Sequence, residues 1–293
     1  MLSGLVVLVL IIVLAGFIAH NLIPGNLPAA PVLEEKIYKK PLYEIHQQST
    51  KPVYKTITKR KLKSETVVPA SFPKVAIIVD DMGYDRVIAE KFCELDVVIT
   101  FSVLPFSTFQ RSIVEKAHAK GIETMLHIPM EPLEYPMIAL GPGGLLTSMT
   151  PDELVDQLNK NLDDVLYIKG VNNHMGSKMT ASSEQMNQIF SVLKKRGLFF
   201  IDSRTTHDSL CDSSARLFQV PFSSRDVFLD HIQETGFIRR QFKELVRIAE
   251  QKGEAVGICH PHPETLEVFA DVIFELKKKV IFVPASAVVH NIS

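Results

Sequence analysis

The chain has 293 residues, 46% of them hydrophobic, a formal net charge of −1, and three cysteines, Cys93, Cys211 and Cys259. The length suits one domain of barrel size or two small ones, and the near-neutral charge gives no footprint for a nucleic-acid partner. An odd cysteine count without C-x-x-C spacing argues against a disulfide framework or a zinc ribbon.

In chain order, Leu2 to Ile23 is almost wholly apolar and uncharged. About 20 such residues suffice for a helix to span a bilayer. No A-x-A site comes after it and no lysine-rich stretch precedes, which favours an uncleaved anchor at 1–23 over a cleaved signal peptide. Lys36, Lys39 and Lys40 would by the positive-inside tendency hold the C-terminal part in the cytoplasm, an argument weakened by the adjoining Glu34 and Glu35. Residues 21–72 carry nine Lys/Arg against four Glu, net +5, leaving −6 for the remainder. This proline-containing stretch, with little periodic hydrophobicity, reads as an extended linker over 24–72; its charge would also suit anionic lipid or a wall polymer.

From Lys74 short β-rich runs alternate with amphipathic helical segments. The runs are KVAIIVDD, DVVITFSVLP, ETMLHIPM, IKGVNNHM, LFFIDSRT, DVFLD, EAVGICHPH and VIFVPASAVV. Most are continuously apolar, as strands covered on both faces are. Thr150-Pro151-Asp152-Glu153 is a capping box with proline at the first helical position. Leu154, Leu158, Leu162 and Val165 come next at helical spacing. Ser182 and Gln185 open the next helix, and Gly121, Gly197 and Gly253 mark helix ends. This predicts an α/β domain over 73–293, a distorted seven- or eight-stranded parallel (β/α) barrel, with an open doubly wound sheet as the alternative. The Gly/Pro-rich stretch from Pro132 to Met149 predicts a loop over the site.

Polar residues gather at the C-terminal ends of these runs, where active sites of parallel barrels lie. They are Asp80 and Asp81, His127, Asn172, Asn173 and His174, Asp202, Asp230 and His231, and His260 and His262. Each has a plainer role available: Asp80-Asp81 as a helix cap, His127 as a core residue, Asp202 as a partner of Arg204, His260-Pro261-His262 as a rigid turn. Taken together, an aspartate with two neutral imidazoles makes a ligand set for Zn2+ with a position open for water. A second carboxylate can take a proton, and a histidine can protonate a leaving group. No G-x-S-x-G, P-loop or G-x-G-x-x-G is present to suggest another chemistry.

VAIIVDDMGYD, ITFSVLPFS, GIETMLHIPMEP, GVNNHMGSKMT, LFFIDSRTT and GICHPHPETL together resemble the divergent polysaccharide deacetylases, a branch of the NodB-type carbohydrate esterases with a distorted βα barrel. The resemblance covers about residues 72–290. It implies metal-dependent removal of acetyl from an N-acetylated carbohydrate polymer, with Asp80 as catalytic base, Asp81 and His127 as metal ligands, and His260 as general acid. Where the typical pattern has a second histidine four residues after the first, this chain has Glu131, so the third ligand is His174 or Glu131. The usual Arg-Pro-Pro-Tyr segment is absent. Asp202 is a further candidate catalytic carboxylate, and Asn173, Ser177, His262 and Tyr135 are candidate substrate-binding residues. The family is usually exported in bacteria, which places the domain in the periplasm or cell envelope, tethered to the cytoplasmic membrane. Two other functions stay open: an inactive envelope protein that binds glycan or a wall-remodelling partner, and a glycosidase using Asp80 and Asp202 as paired carboxylates.

Overall fold

The computed structural model describes residues 72–292. The expected anchor at 1–23 and the linker as far as residue 71 lie outside them. Among the described residues no helix is long and apolar enough to cross a membrane.

Nine parallel strands form one sheet: β1 (Lys74–Met82), β2 (Thr100–Val103), β3 (Glu123–Met130), β4 (Ile168–Met175), β5 (Phe199–Asp202), β6 (Phe222–Ser224), β7 (Val227–Phe228), β8 (Glu254–Cys259) and β9 (Ile281–Val283). The order is β6-β5-β4-β3-β2-β1-β8-β7, with β9 also on β1. Seven helices connect them: α1 (Arg86–Cys93), α2 (Gln110–Ala119), α3 (Pro151–Asp164), α4 (Ser183–Arg196), α5 (Cys211–Phe218), α6 (Thr235–Lys252) and α7 (Pro263–Leu276).

The sheet is curled, and its two ends are carried by neighbouring residues. Between β6 and β7, Arg225 N donates to Asp202 O of β5 at 2.9 Å, and Asp226 N donates to Val256 O of β8, also at 2.9 Å. One stretch of chain therefore pairs with both sides, as the barrel-type expectation requires and an open doubly wound sheet does not. β6 is not among the expected runs, because a three-residue strand with one apolar residue carries no pattern. The last expected run is no separate stave: β9 takes the Lys74–Ala76 part of one edge of β1, and β2 takes the same edge from Ile78 onward.

Strand alternation sorts the residues into two layers. Val75, Ile77, Val79, Leu126, Ile128, Val171 and Phe200 face the helices in the larger core. Ala76, Ile78, Met125, Phe199, Ile201, Val256 and Ile258 fill the interior of the curl. Gly170 leaves room there: a Cβ would lie 2.3 Å from the Phe199 ring.

The helix signals act as expected. Thr150 accepts from Glu153 N while the Glu153 carboxylate accepts from Thr150 N, and Pro151 opens α3. Gly197 and Gly253 close α4 and α6 at φ 68° and 88°, where a Cβ is disfavoured. Ser182 precedes α4, but its hydroxyl bonds Gln185 rather than a backbone N–H. The Pro132–Met149 stretch is a loop pinned to the sheet by the buried Leu145, whose N donates to Pro129 O at 2.8 Å and whose O accepts from Glu131 N at 3.0 Å.

Candidate metal centre and cleft

The interior layer explains the position of the polar cluster. Two residues beyond Ile78, Met125, Ile201 and Ile258 come Asp80, His127, Ser203 and His260; on β4, His174 comes after Asn172 at the same spacing. β1, β3, β5 and β8 thus end an apolar inward face with a polar side chain.

Asp81 has the opposite parity and enters by a backbone departure. It adopts φ 55°, and the β1–β2 register shifts between Val79 and Met82. Both carboxylates consequently approach one imidazole: His127 Nε2 lies 3.2 Å from Asp81 Oδ1 and 3.7 Å from Asp80 Oδ2. Met175 and Arg204, at φ 53° and 52°, also hold the left-handed conformation near the cleft. Such non-glycine residues cost roughly 1–3 kcal/mol each and concentrate at functional sites.

Asp81, His127 and His174 are buried and offer ligand atoms within 4.8 Å of one another. His174 Nδ1 lies 2.9 Å from Asp81 Oδ1 and 3.3 Å from His127 Nε2. These contacts are close but not directed: both Asp81 oxygens and His174 Nε2 are buried with no hydrogen-bond partner. Leaving such atoms unsatisfied is costly, and a cation among them resolves it.

The tautomer of His127 is set by its neighbour. Asn172 Nδ2 must donate to the Asp80 carboxylate, 2.8 Å away, so its Oδ1 faces His127 Nδ1, also at 2.8 Å. Nδ1 then carries the proton and Nε2 presents its lone pair to the centre, the arrangement that metal-ligating histidines require. Carboxylate plus two imidazoles fits a divalent first-row ion.

Electrostatics separate the two aspartates. Burial raises the Asp80 pKa, against the opposing pull of His127 and His260. Burial acts on Asp81 in the same sense, but the His174 and His127 rings outweigh it and hold Asp81 well below the usual carboxylate range.

A second group, Asp230, His260 and His262, also clusters closely enough for a cation, but its atoms are engaged. Asp230 Oδ2 accepts from His260 N and Thr265 Oγ1, each at 2.7 Å, and Oδ1 faces His260 Nδ1 at 3.0 Å. This is a carboxylate–imidazole dyad. Burial alone would push the His260 pKa down; Asp230, assisted by Asp81 and Asp80, raises it to about 9.

An open cleft exposes the centre. Asp80, His127, His174 and His260 line it, with Asn173, Ser203, Thr205, Arg204 and Arg225, and with Met175, Phe228 and Ile258 as its apolar part. The remaining expected residues have other surroundings. Asp202 falls out of step with inward-facing Ile201, so its oxygens hold the adjoining loop: Oδ1 accepts from Arg204 N and Oδ2 from Ser209 Oγ, both at 2.7 Å. It does not line the cleft, which corrects its candidacy as a catalytic carboxylate. Glu131 lies outside the ligand group; it accepts from Thr147 N and Oγ1 and pairs with Lys178 Nζ at 2.6 Å, fastening the loop. Asn173 lines the cleft while tying strand ends together, donating to Met175 O and accepting from Ser203 N. Ser177 Oγ accepts from Leu133 N at 3.0 Å, and His262 Nε2 accepts from Gln233 Nε2 at 2.9 Å. These two and the part-exposed Tyr135 are not in the cleft lining. The sequence places Asn172 and Asp230 at strand ends without a specific role, offers Arg204 only as a partner of Asp202, and does not single out Arg225. Asn172 is detectable through its inward parity with His174; Arg225 carries no local signal.

Fold and site together define an α/β protein with a buried carboxylate–imidazole cradle at its strand C-termini. The family model described as divergent polysaccharide deacetylase matches residues 77–289, and the chain belongs to that family. It is 33% identical over 223 residues to the uncharacterized protein YibQ of Escherichia coli K12, covering 76% of this chain and 69% of that one. An uncharacterized protein of Haemophilus influenzae Rd is 32% identical over 195 residues, covering 67% of this chain and 69% of the relative. Among solved structures, uncharacterized protein ATU2773 of Agrobacterium tumefaciens C58 aligns with a TM-score of 0.72 at 26% identity, covering 76% of this chain and 91% of that one.

Proposed function

We propose that the protein is a metal-dependent hydrolase that deacetylates an N-acetylated cell-envelope polysaccharide, anchored in the cytoplasmic membrane by Leu2–Ile23 with its domain outside. The observation that carries the chemistry is the convergence of Asp81, His127 and His174 on unsatisfied buried atoms, with Asp80 beside them and the His260–Asp230 dyad in the same cleft. The family description supports the substrate class. The apolar, uncharged N-terminus supports the anchor.

A divalent cation held by Asp81, His127 and His174, with zinc as the first candidate, would supply Lewis acidity toward the acetyl carbonyl and make water more acidic. Asp80 takes the proton of the attacking water at Oδ2, while Asn172 fixes Oδ1. Its raised pKa makes it a stronger base than an exposed aspartate. His260, protonated at neutral pH, gives the Nε2 proton to the departing amide nitrogen as the C–N bond breaks. Asp230 holds the ring through Nδ1 and stabilises its charge. Acetate and a free amine are the products.

The test is acetate release from chitooligosaccharides and peptidoglycan fragments by the metal-loaded full chain and its Asp80→Asn variant. Release that falls at least 100-fold in the variant with metal retained supports the proposal. No release by the native chain, or equal release by both, contradicts it.

A further inference from the structure

The cleft holds positive charge that the hydrolytic chemistry does not use. Arg204 and Arg225 both line it, together with Asp80 and His260. Among the described residues, neither guanidinium has a carboxylate at ion-pair distance; every arginine–carboxylate pair found there involves other arginines.

Arg225 is fixed in place. Its Nε donates to Ser203 O at 2.7 Å, its Nη2 donates to Arg204 O at 3.0 Å, and its Cζ lies 5.0 Å from the Phe228 ring centre. Neutral carbonyls orient this group, and the carboxylates of Asp202, Asp80 and Asp226 act on it only from beyond ion-pair distance, so the half-buried guanidinium has donors turned to no contacting anion among the described residues. Burial, with Asp202 pulling the other way and Arg204 acting in the same sense, leaves its pKa lowered to about 10. Arg204 is exposed, and its backbone is held in the left-handed conformation by the Asp202 carboxylate on its N–H. The loop that Asp202 fastens therefore presents one arginine beside another. A planar guanidinium donates in a fork that fits carboxylate and phosphate oxygens.

We propose that Arg204 and Arg225 form an oxyanion-binding subsite beside the candidate reaction centre, and that the glycan accepted there bears a carboxylate or phosphate close to its N-acetyl group. The identity of the ligand as a glycan rests on the deacetylase proposal; the affinity for an oxyanion does not. Phe228, Met175 and Ile258 would meet the uncharged part of the sugar.

Isothermal titration of the full chain with matched tetrasaccharides tests this. The ligands are chitotetraose, the alternating N-acetylglucosamine–N-acetylmuramic acid tetrasaccharide, the methyl ester of that tetrasaccharide, and chitotetraose 6-phosphate. Each is titrated into zinc-loaded and chelator-treated protein. The acid is expected to bind at least 10-fold more tightly than its ester in both states. In Arg204→Ala that ratio falls toward one, and in Arg204→Glu it falls to one or below. The phosphate arm against chitotetraose shows which oxyanion is preferred. Equal affinity for acid and ester overturns the proposal. So does a preference that survives both substitutions, which removes Arg204 from the subsite, and so does one that disappears on chelation, which assigns the anion to the cation. Acetate release is measured separately on the same ligands. An arginine-dependent preference without acetate release contradicts the deacetylase reading alone.

Discussion

The side-chain oxygen of Asn172 lies 2.8 Å from His127 Nδ1. The amide's other end donates to Asp80, so one residue sets the tautomer of a candidate ligand and the position of the candidate base. Replacing it with leucine removes both. Outer-shell partners of this kind are worth about 10- to 100-fold in metal affinity, and Asn172→Leu should weaken zinc binding by that factor in a competitive chelator titration. Unchanged affinity would mean that His127 does not depend on this bond.

The Asp230–His260 dyad makes a claim about pH. His260 carries its second proton below about pH 9 and loses it above, so a reaction needing that proton declines on the alkaline side. Asp80 must be ionised, and activity therefore declines as pH falls through its raised pKa. Asp230→Asn removes the strongest influence holding His260 up and leaves burial, which lowers it. The alkaline limb of kcat/KM should move to lower pH by more than one unit, while the acid limb stays. The dyad's effect on stability runs in the same direction. Because the folded pKa is raised, the dyad's contribution is fully present below the ordinary histidine value of about 6.5 and is lost as pH rises through about 9. A pH series of thermal melts that is identical for Asp230→Asn and the native chain would contradict this.

Glu131 stands where a ligand was one of two expectations, yet its carboxylate fastens the Thr147 and Lys178 segments. Glu131→Gln should keep full zinc content and lose about 1–3 kcal/mol of stability in urea unfolding, the cost of weakening a charge-assisted cluster. A fall in zinc content with stability intact would restore Glu131 as a ligand.

Gly170 tests the interior layer. Its missing side chain accommodates the Phe199 ring, a buried contact with no slack. Gly170→Ala should destabilise by roughly 1–3 kcal/mol through overpacking. An unaltered urea midpoint would show that the interior can yield there.

Much of this architecture was legible because period-two patterns reveal themselves in sequence. Ile78 before Asp80, Met125 before His127 and Ile258 before His260 each mark an inward face ending in a polar group. Asp81 broke the pattern, since only a left-handed backbone at that position turns a second carboxylate inward, and alternation alone could not show it. Asp202 misled for the converse reason: it ends a strand, but one residue out of step with the interior. β6 and Arg225 were invisible because three residues give no period, and a lone arginine gives no indication of which carbonyls will hold it. The dual role of Asn172 required coordinates, because an amide's two ends are assigned only by their partners.

The central claim is that Asp81, His127 and His174 share one cation. Elemental analysis of the purified full chain, beside Asp81→Asn and His174→Ala, tests it most directly. The native protein should hold close to one equivalent of a divalent first-row metal and either variant almost none, with folded circular dichroism spectra throughout. Equal metal content in all three, or none in the native chain after reconstitution with zinc, would contradict it.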